Sequence, residues 1–199
     1  MDLNTFLNLL LATDQPVLPA PGAMGLALHG VWAIVLGCGA LLVAGRLKRP
    51  YRLGLAALVM AWTLMPGPTS PAYWLGLAFQ TPSLMTAVLG LAWLLDRARR
   101  APGADRAAAA SGGPVLTILA MVGVVLGWVL LLDTLAWLPV SVYAWGFSSA
   151  AFAGAVLFTL LLWLVVGAGS RKALGLVGLV LTLFVLTRLP TGNLWDALI

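Results

Sequence analysis

A chain of 199 residues that is 62% hydrophobic and only 9% charged falls outside the water-soluble class, in which about a quarter of residues carry charge. Its formal net charge of +5 would suit an acidic partner such as nucleic acid, but ten of its eleven Lys and Arg residues sit in three clusters between apolar runs. Those clusters (Arg46, Lys48, Arg49 and Arg52; Arg97, Arg99, Arg100 and Arg106; Arg171 and Lys172) form the positive-inside pattern of a multi-pass membrane protein among anionic lipids, which accounts for the charge with no nucleic acid.

In chain order, residues 1–23 open with an apolar stretch too short to span a bilayer, and Asp2 stands where a signal peptide carries a basic residue. With Asn4, Asn8 and Asp14 set against Phe6, Leu9, Leu10 and Leu11, this segment is expected as an amphipathic helix on the outer membrane face. Residues 24–95 read as a first transmembrane half. Its first span runs from Met24 to Gly45, and its second from Tyr51 to Met65, closed by Pro66, Pro68 and Pro71. A third span from Ala72 to Leu95 is broken by Gln80-Thr81-Pro82-Ser83.

Residues 96–114, rich in Arg, Ala, Gly and Pro, read as a cytoplasmic linker. The second half, 115–199, holds spans at Val115–Leu138, Gly146–Gly167 and Ala173–Leu189, then an outer tail. The expected fold is therefore an all-α polytopic bundle of about six spans, with basic loops inside and both termini outside. Tyr73, Trp74, Trp137, Tyr143, Trp145 and Trp195 all fall at the expected outer interface, where they anchor in lipid or form a surface for a membrane-protein partner. A shift of 121 positions aligns Leu53-Gly54-Leu55 and Trp74 with Leu174-Gly175-Leu176 and Trp195, a match that the abundance of Leu explains by chance.

Charges within a span are costly and are functional candidates for that reason. Asp133, in VLLLDTLAWLP, and Arg188, in FVLTRLP, are the two that escape the loops, both near the outer end of a span. They are expected to pair, either to set helix packing or as a proton-coupled or anion-binding site. His29, the single histidine, lies at similar depth and is a candidate relay to Asp133. Gln80, Thr81 and Ser83 are candidate ligands for a small polar solute, because a broken helix at membrane depth must face protein or a wet cavity. One His, one Cys and no Glu cannot build a zinc site, and neither a metal nor a cofactor is expected.

Gly146-Phe147-Ser148-Ser149 resembles, at three positions, the Gly-x-Ser-Gly of rhomboid-type intramembrane serine proteases. The resemblance implies a serine nucleophile at Ser148, with Ser149 beside it and His29 as the base. The sequence departs from the family in having Ser149 in place of the second Gly and no histidine on a later span. Small residues at Gly146, Ser149, Ala150, Ala153 and Gly154 also suit close helix packing. The expectation is a non-enzymatic, multi-pass protein of a bacterial inner membrane: a small-solute or ion transporter, or a membrane subunit of a larger complex. The alternative is an intramembrane hydrolase using Ser148 or Ser149 with His29.

Overall fold

The computed structural model describes residues 18–99, 114–165 and 171–199, and the regular structure among them is entirely helical. Residues 1–17 of the expected outer-face helix and most of the linker lie outside the described residues. In chain order the helices are α1 (Pro21–Val43), continued by a 3-10 turn (Ala44–Arg46), α2 (Arg49–Thr63), α3 (Pro71–Phe79) and α4 (Leu84–Arg99). They are followed by α5 (Pro114–Thr134), the short α6 (Val142–Trp145), α7 (Ser149–Val165), α8 (Arg171–Thr187) and the short α9 (Leu194–Leu198). The chain divides into two compact units, one carrying α1 to α4 and the other α5 to α9.

In the first unit, α1 packs against α2, α3 and α4. It begins with a proline in its first turn, where the missing N–H has no intrahelical partner to lose. Glycines let the backbones approach: a Cβ at Gly37 would lie 2.7 Å from Met60, one at Gly90 2.7 Å from Ile34, and one at Gly76 2.8 Å from Leu28. Small residues at these positions let the helix backbones pack closely. The chain leaves helix between α3 and α4 because Pro82 has no N–H to donate and disfavours helical geometry at Thr81. The segment expected as the second span holds the 15-residue helix α2, about 22 Å long.

Helix α4 continues through Arg99, so Asp96, Arg97 and Arg99, expected in the linker, are helical. No proline intervenes before Pro102, Arg97 and Arg99 oppose the negative end of the helix dipole, and the Arg97 guanidinium lies 5.3 Å from the centre of the Trp93 ring.

In the second unit, α7 packs on α8, α9 on α8, and α6 on α5. Leu174, Val177, Leu181 and Phe184 recur at helical spacing and bury one stripe of α8. Helix α5 behaves differently: from Thr117 to Thr134 it is apolar and none of its side chains is buried. Among the described residues, Pro21–Arg46 and Thr117–Thr134 are long and apolar enough to cross a membrane, and α7 is apolar but shorter.

Candidate functional site

The densest polar cluster among the described residues lies where α5 ends, α6 turns, and the C-terminal segment returns. Helix α5 closes with Ala136 in the left-handed region, φ +56°, and the Trp137 amide reaches back 3.0 Å to the Leu132 carbonyl. Asp133, in the last turn, turns its carboxylate onto the chain that follows, and Oδ2 accepts from the Tyr143 N–H at 2.7 Å. A charged acceptor on an otherwise unsatisfied amide ties α6 to α5.

Helix α8 stops at Thr187, and Arg188, φ +56°, and Gly192, φ +84°, turn the chain around a cis Leu189–Pro190 bond. Leu189-Pro190-Thr191-Gly192 is thus a helix stop. Asn193 then caps α9: its Oδ1 accepts from the Trp195 N–H at 2.9 Å. Its Nδ2 donates 2.9 Å to the Tyr143 carbonyl, so one fully buried side chain serves two segments. The Trp195 indole N–H donates to the Val142 carbonyl at 2.9 Å, and the Leu194 amide to the Gly146 carbonyl at 2.9 Å. Asp196 Oδ2 accepts from the Tyr143 hydroxyl at 2.8 Å and from the Thr191 hydroxyl. Burial, and then the Asp196 carboxylate, push the Tyr143 phenol up to about 12, because the ionised form would be both desolvated and repelled. Gly146 is required by this contact and not by its φ: a Cβ there would lie 1.8 Å from Asn193 Oδ1.

Sequence reasoning placed Asp133, Tyr143 and Trp195 near this region but missed Asn193, Thr191 and Asp196. The signal was present: Asn193 followed three residues later by Asp196 has the spacing of a capping box.

Ser148 Oγ donates to the Trp145 carbonyl at 2.6 Å and accepts from the Ala151 N–H at 3.2 Å. It is the cap of α7, a bonding arrangement with its proton committed to a backbone carbonyl instead of a base. Arg188 lines a void of about 10 Å³ with Gly146, Ser148 and Ser149, room for roughly one water. Its guanidinium carbon lies 5.4 Å from the centre of the Phe184 ring, within cation–π range. The Asp133 carboxylate thus meets a backbone amide, and the Arg188 guanidinium lies near an aromatic face.

In the first unit, Gln80 takes φ +61° and is exposed, and its carbonyl accepts from the Trp32 indole N–H at 2.9 Å. Ser83 is buried and caps α4: its Oγ accepts from the Thr86 N–H at 3.1 Å and bonds the Thr86 hydroxyl at 3.0 Å. Thr81, between them, is half-buried. His29, in α1, donates from Nδ1 to the Gly25 carbonyl at 2.9 Å, and its Nε2 is enclosed with no hydrogen-bond partner among the described residues. His29 belongs to the first unit, and Asp133, Ser148 and Ser149 to the second.

Of the aromatics expected at the outer face, Trp74, Trp137 and Trp145 are 61%, 75% and 57% exposed. Trp74 is steered by an indole bond of 2.8 Å to the Pro68 carbonyl, and Tyr73 meets it edge-on. Among the described residues no three His, Cys, Asp or Glu side chains converge. No protein-family model, curated protein or solved structure matches the chain.

Proposed function

We propose that this chain is a six-crossing protein of a bacterial inner membrane, both termini outward, that serves without catalysis as a membrane subunit of a larger assembly. An apolar helix with no buried side chain over Thr117–Thr134 is suited to lipid or to another membrane helix, and unsuited to water. The three basic clusters support the orientation. Helices α2, α7 and α8 supply the shorter crossings, with local thinning of the bilayer, and α3 with α4 a broken one.

One observation carries the subunit reading over the transporter reading. Asp133, Ser83 and Ser148 are bonded to nearby backbone, whereas Trp74, Trp137 and Trp145 stay exposed. A carrier needs polar groups available to a solute; a subunit needs exposed, rigid aromatic area.

The test is co-purification of the tagged full chain in mild detergent. A stoichiometric partner retained by the native chain and lost on joint Trp137→Ala and Trp145→Ala substitution, at unchanged membrane insertion, is the expected result. Solute flux in proteoliposomes that vanishes in Asp133→Asn while the protein stays folded would overturn the reading. Orientation is checked in a Cys38→Ser background: an impermeant thiol reagent is expected to label Thr69→Cys and not Ala104→Cys in intact cells.

A further inference from the structure

Two basic clusters that are distant in the chain meet at one end of the first unit. Helices α1 and α4 run in the same direction: the Trp32 indole N–H reaches the Gln80 carbonyl just before α4, and six residues further along α1 the Cys38 thiol donates 3.6 Å to the Gly90 carbonyl. Their C-terminal ends therefore lie together, with Arg46 after α1 and Arg97 and Arg99 in the last turn of α4. The Arg49 guanidinium, in the first turn of α2, donates 2.6 Å to the Ala98 carbonyl. That bond holds the start of α2 beside Arg99, with Lys48 just ahead of it. Arg46, Lys48 and Arg99 are exposed. Arg52, Asp96 and Arg97 have interactions of their own, and the site is built without them.

The carbonyls that end a helix carry partial negative charge. Arg49 satisfies the one at Ala98, so it offsets the three exposed cations less, and the opening turn of α2 adds the positive end of its own dipole. Leu42, Val43, Leu47 and Tyr51, around the same link between α1 and α2, are exposed as well. A soluble anion gains nothing from that alkyl and aromatic area, whereas an amphiphile with an anionic head engages both. We propose that this end of the first unit binds one anionic phospholipid, its phosphate among Arg46, Lys48 and Arg99 and its acyl chains against Leu42, Val43 and Leu47, with Arg49 as the positioning residue. A diffuse attraction would fall on every basic cluster alike, so Arg171 and Lys172, exposed at the start of α8 in the second unit, provide the comparison. The proposed function enters only in placing the lipid in the inner leaflet.

The test uses the delipidated full chain in detergent, titrated with phosphatidylglycerol or with phosphatidylcholine of the same acyl chains and followed by native mass spectrometry. One phosphatidylglycerol is expected to bind roughly tenfold more tightly than phosphatidylcholine, from charge-assisted contacts at the headgroup. Joint Arg46→Gln, Lys48→Gln and Arg99→Gln is expected to erase that preference at native helicity and gel-filtration behaviour, since all three side chains are exposed. Arg46→Lys with Arg99→Lys keeps most of the preference, and Arg49→Gln, which loosens α2 from α4, loses part of it. Arg171→Gln with Lys172→Gln leaves it unchanged.

Equal affinity of the native chain for the two lipids would overturn the proposal. So would a preference that survives the triple substitution, or one that falls as far when Arg171 and Lys172 are neutralised, which would mark the attraction as diffuse. Displacement of phosphatidylglycerol by excess inorganic phosphate would assign the cluster to a free anion instead. All of these outcomes are read in detergent, and none depends on membrane orientation or on the Trp137 and Trp145 partner test.

Discussion

Replacing Gly146 by Ala separates two opposing effects whose magnitudes the structure sets. Gly146 is the C-cap of α6 with φ −61° and ψ −17°, a conformation open to any residue, so on the backbone alone Ala should stabilise by about 0.4–1 kcal/mol. Against this, the new Cβ would lie 1.8 Å from Asn193 Oδ1 and 2.6 Å from Trp195 Cδ1, and the C-terminal segment must yield. If it shifts while staying docked, the cost is that of overpacking, about 1–3 kcal/mol. If it detaches, four hydrogen bonds are lost: Leu194 to Gly146, Asn193 to Tyr143, Trp195 to Val142 and Tyr143 to Asp196. At about 1 kcal/mol each, and somewhat more for the carboxylate bond, that comes to about 4–5 kcal/mol.

The cheaper route decides, and the expected net loss is about 1–2 kcal/mol. The assay is thermal unfolding of the detergent-purified protein followed by tryptophan fluorescence, with carboxypeptidase release of Ile199 reporting detachment. The same substitution in an Asn193→Ala background, where the nearest clashing atom is gone, should cost less. A Gly146→Ala protein as stable as the native chain, or more so, with its C-terminus still protected, would refute the docked arrangement.

Other perturbations follow from the same contacts. Asp133→Asn keeps an acceptor for the Tyr143 amide and should leave an inserted protein with a loss of about 1 kcal/mol, whereas Asp133→Ala orphans that amide and should cost about 1–3 kcal/mol in the same unfolding assay. Because the Tyr143 phenol titrates near 12 in the folded chain, against an ordinary value near 10, the folded state holds a proton that the unfolded state gives up. Its contribution is complete below about pH 10 and is lost as pH rises towards 12. The native chain should therefore lose stability across that window more steeply than Tyr143→Phe, and parallel pH curves for the two proteins would contradict this. Ser70 is fully buried, donates 2.6 Å to the Thr63 carbonyl and accepts from the Ala72 N–H at the start of α3; Ser70→Ala should lower stability by about 1–2 kcal/mol, and an unchanged melting midpoint would count against that cap.

Much of the helix layout was legible because prolines and charges act locally. Pro82 ends α3 and delays α4 whatever surrounds it, and Pro66, Pro68 and Pro71 separate α2 from α3. Span ends were less legible. The fifth was expected from Gly146, yet α7 opens at Ser149, because Gly146 carries the returning C-terminal segment and Ser148 is consumed as a cap. Nothing local to Gly-Phe-Ser-Ser reports a partner nearly fifty residues away.

Residue order alone was enough to read a helical chain with segments apolar enough to cross a membrane, because hydropathy is a sum over a segment, indifferent to which helix touches which. That Asn193, Trp195 and Asp196 lock onto the turn at Val142–Gly146, and that α7 and α8 leave an apolar groove between them, came from the fold alone. Both depend on directional contacts between residues distant in the chain, which composition and spacing do not record.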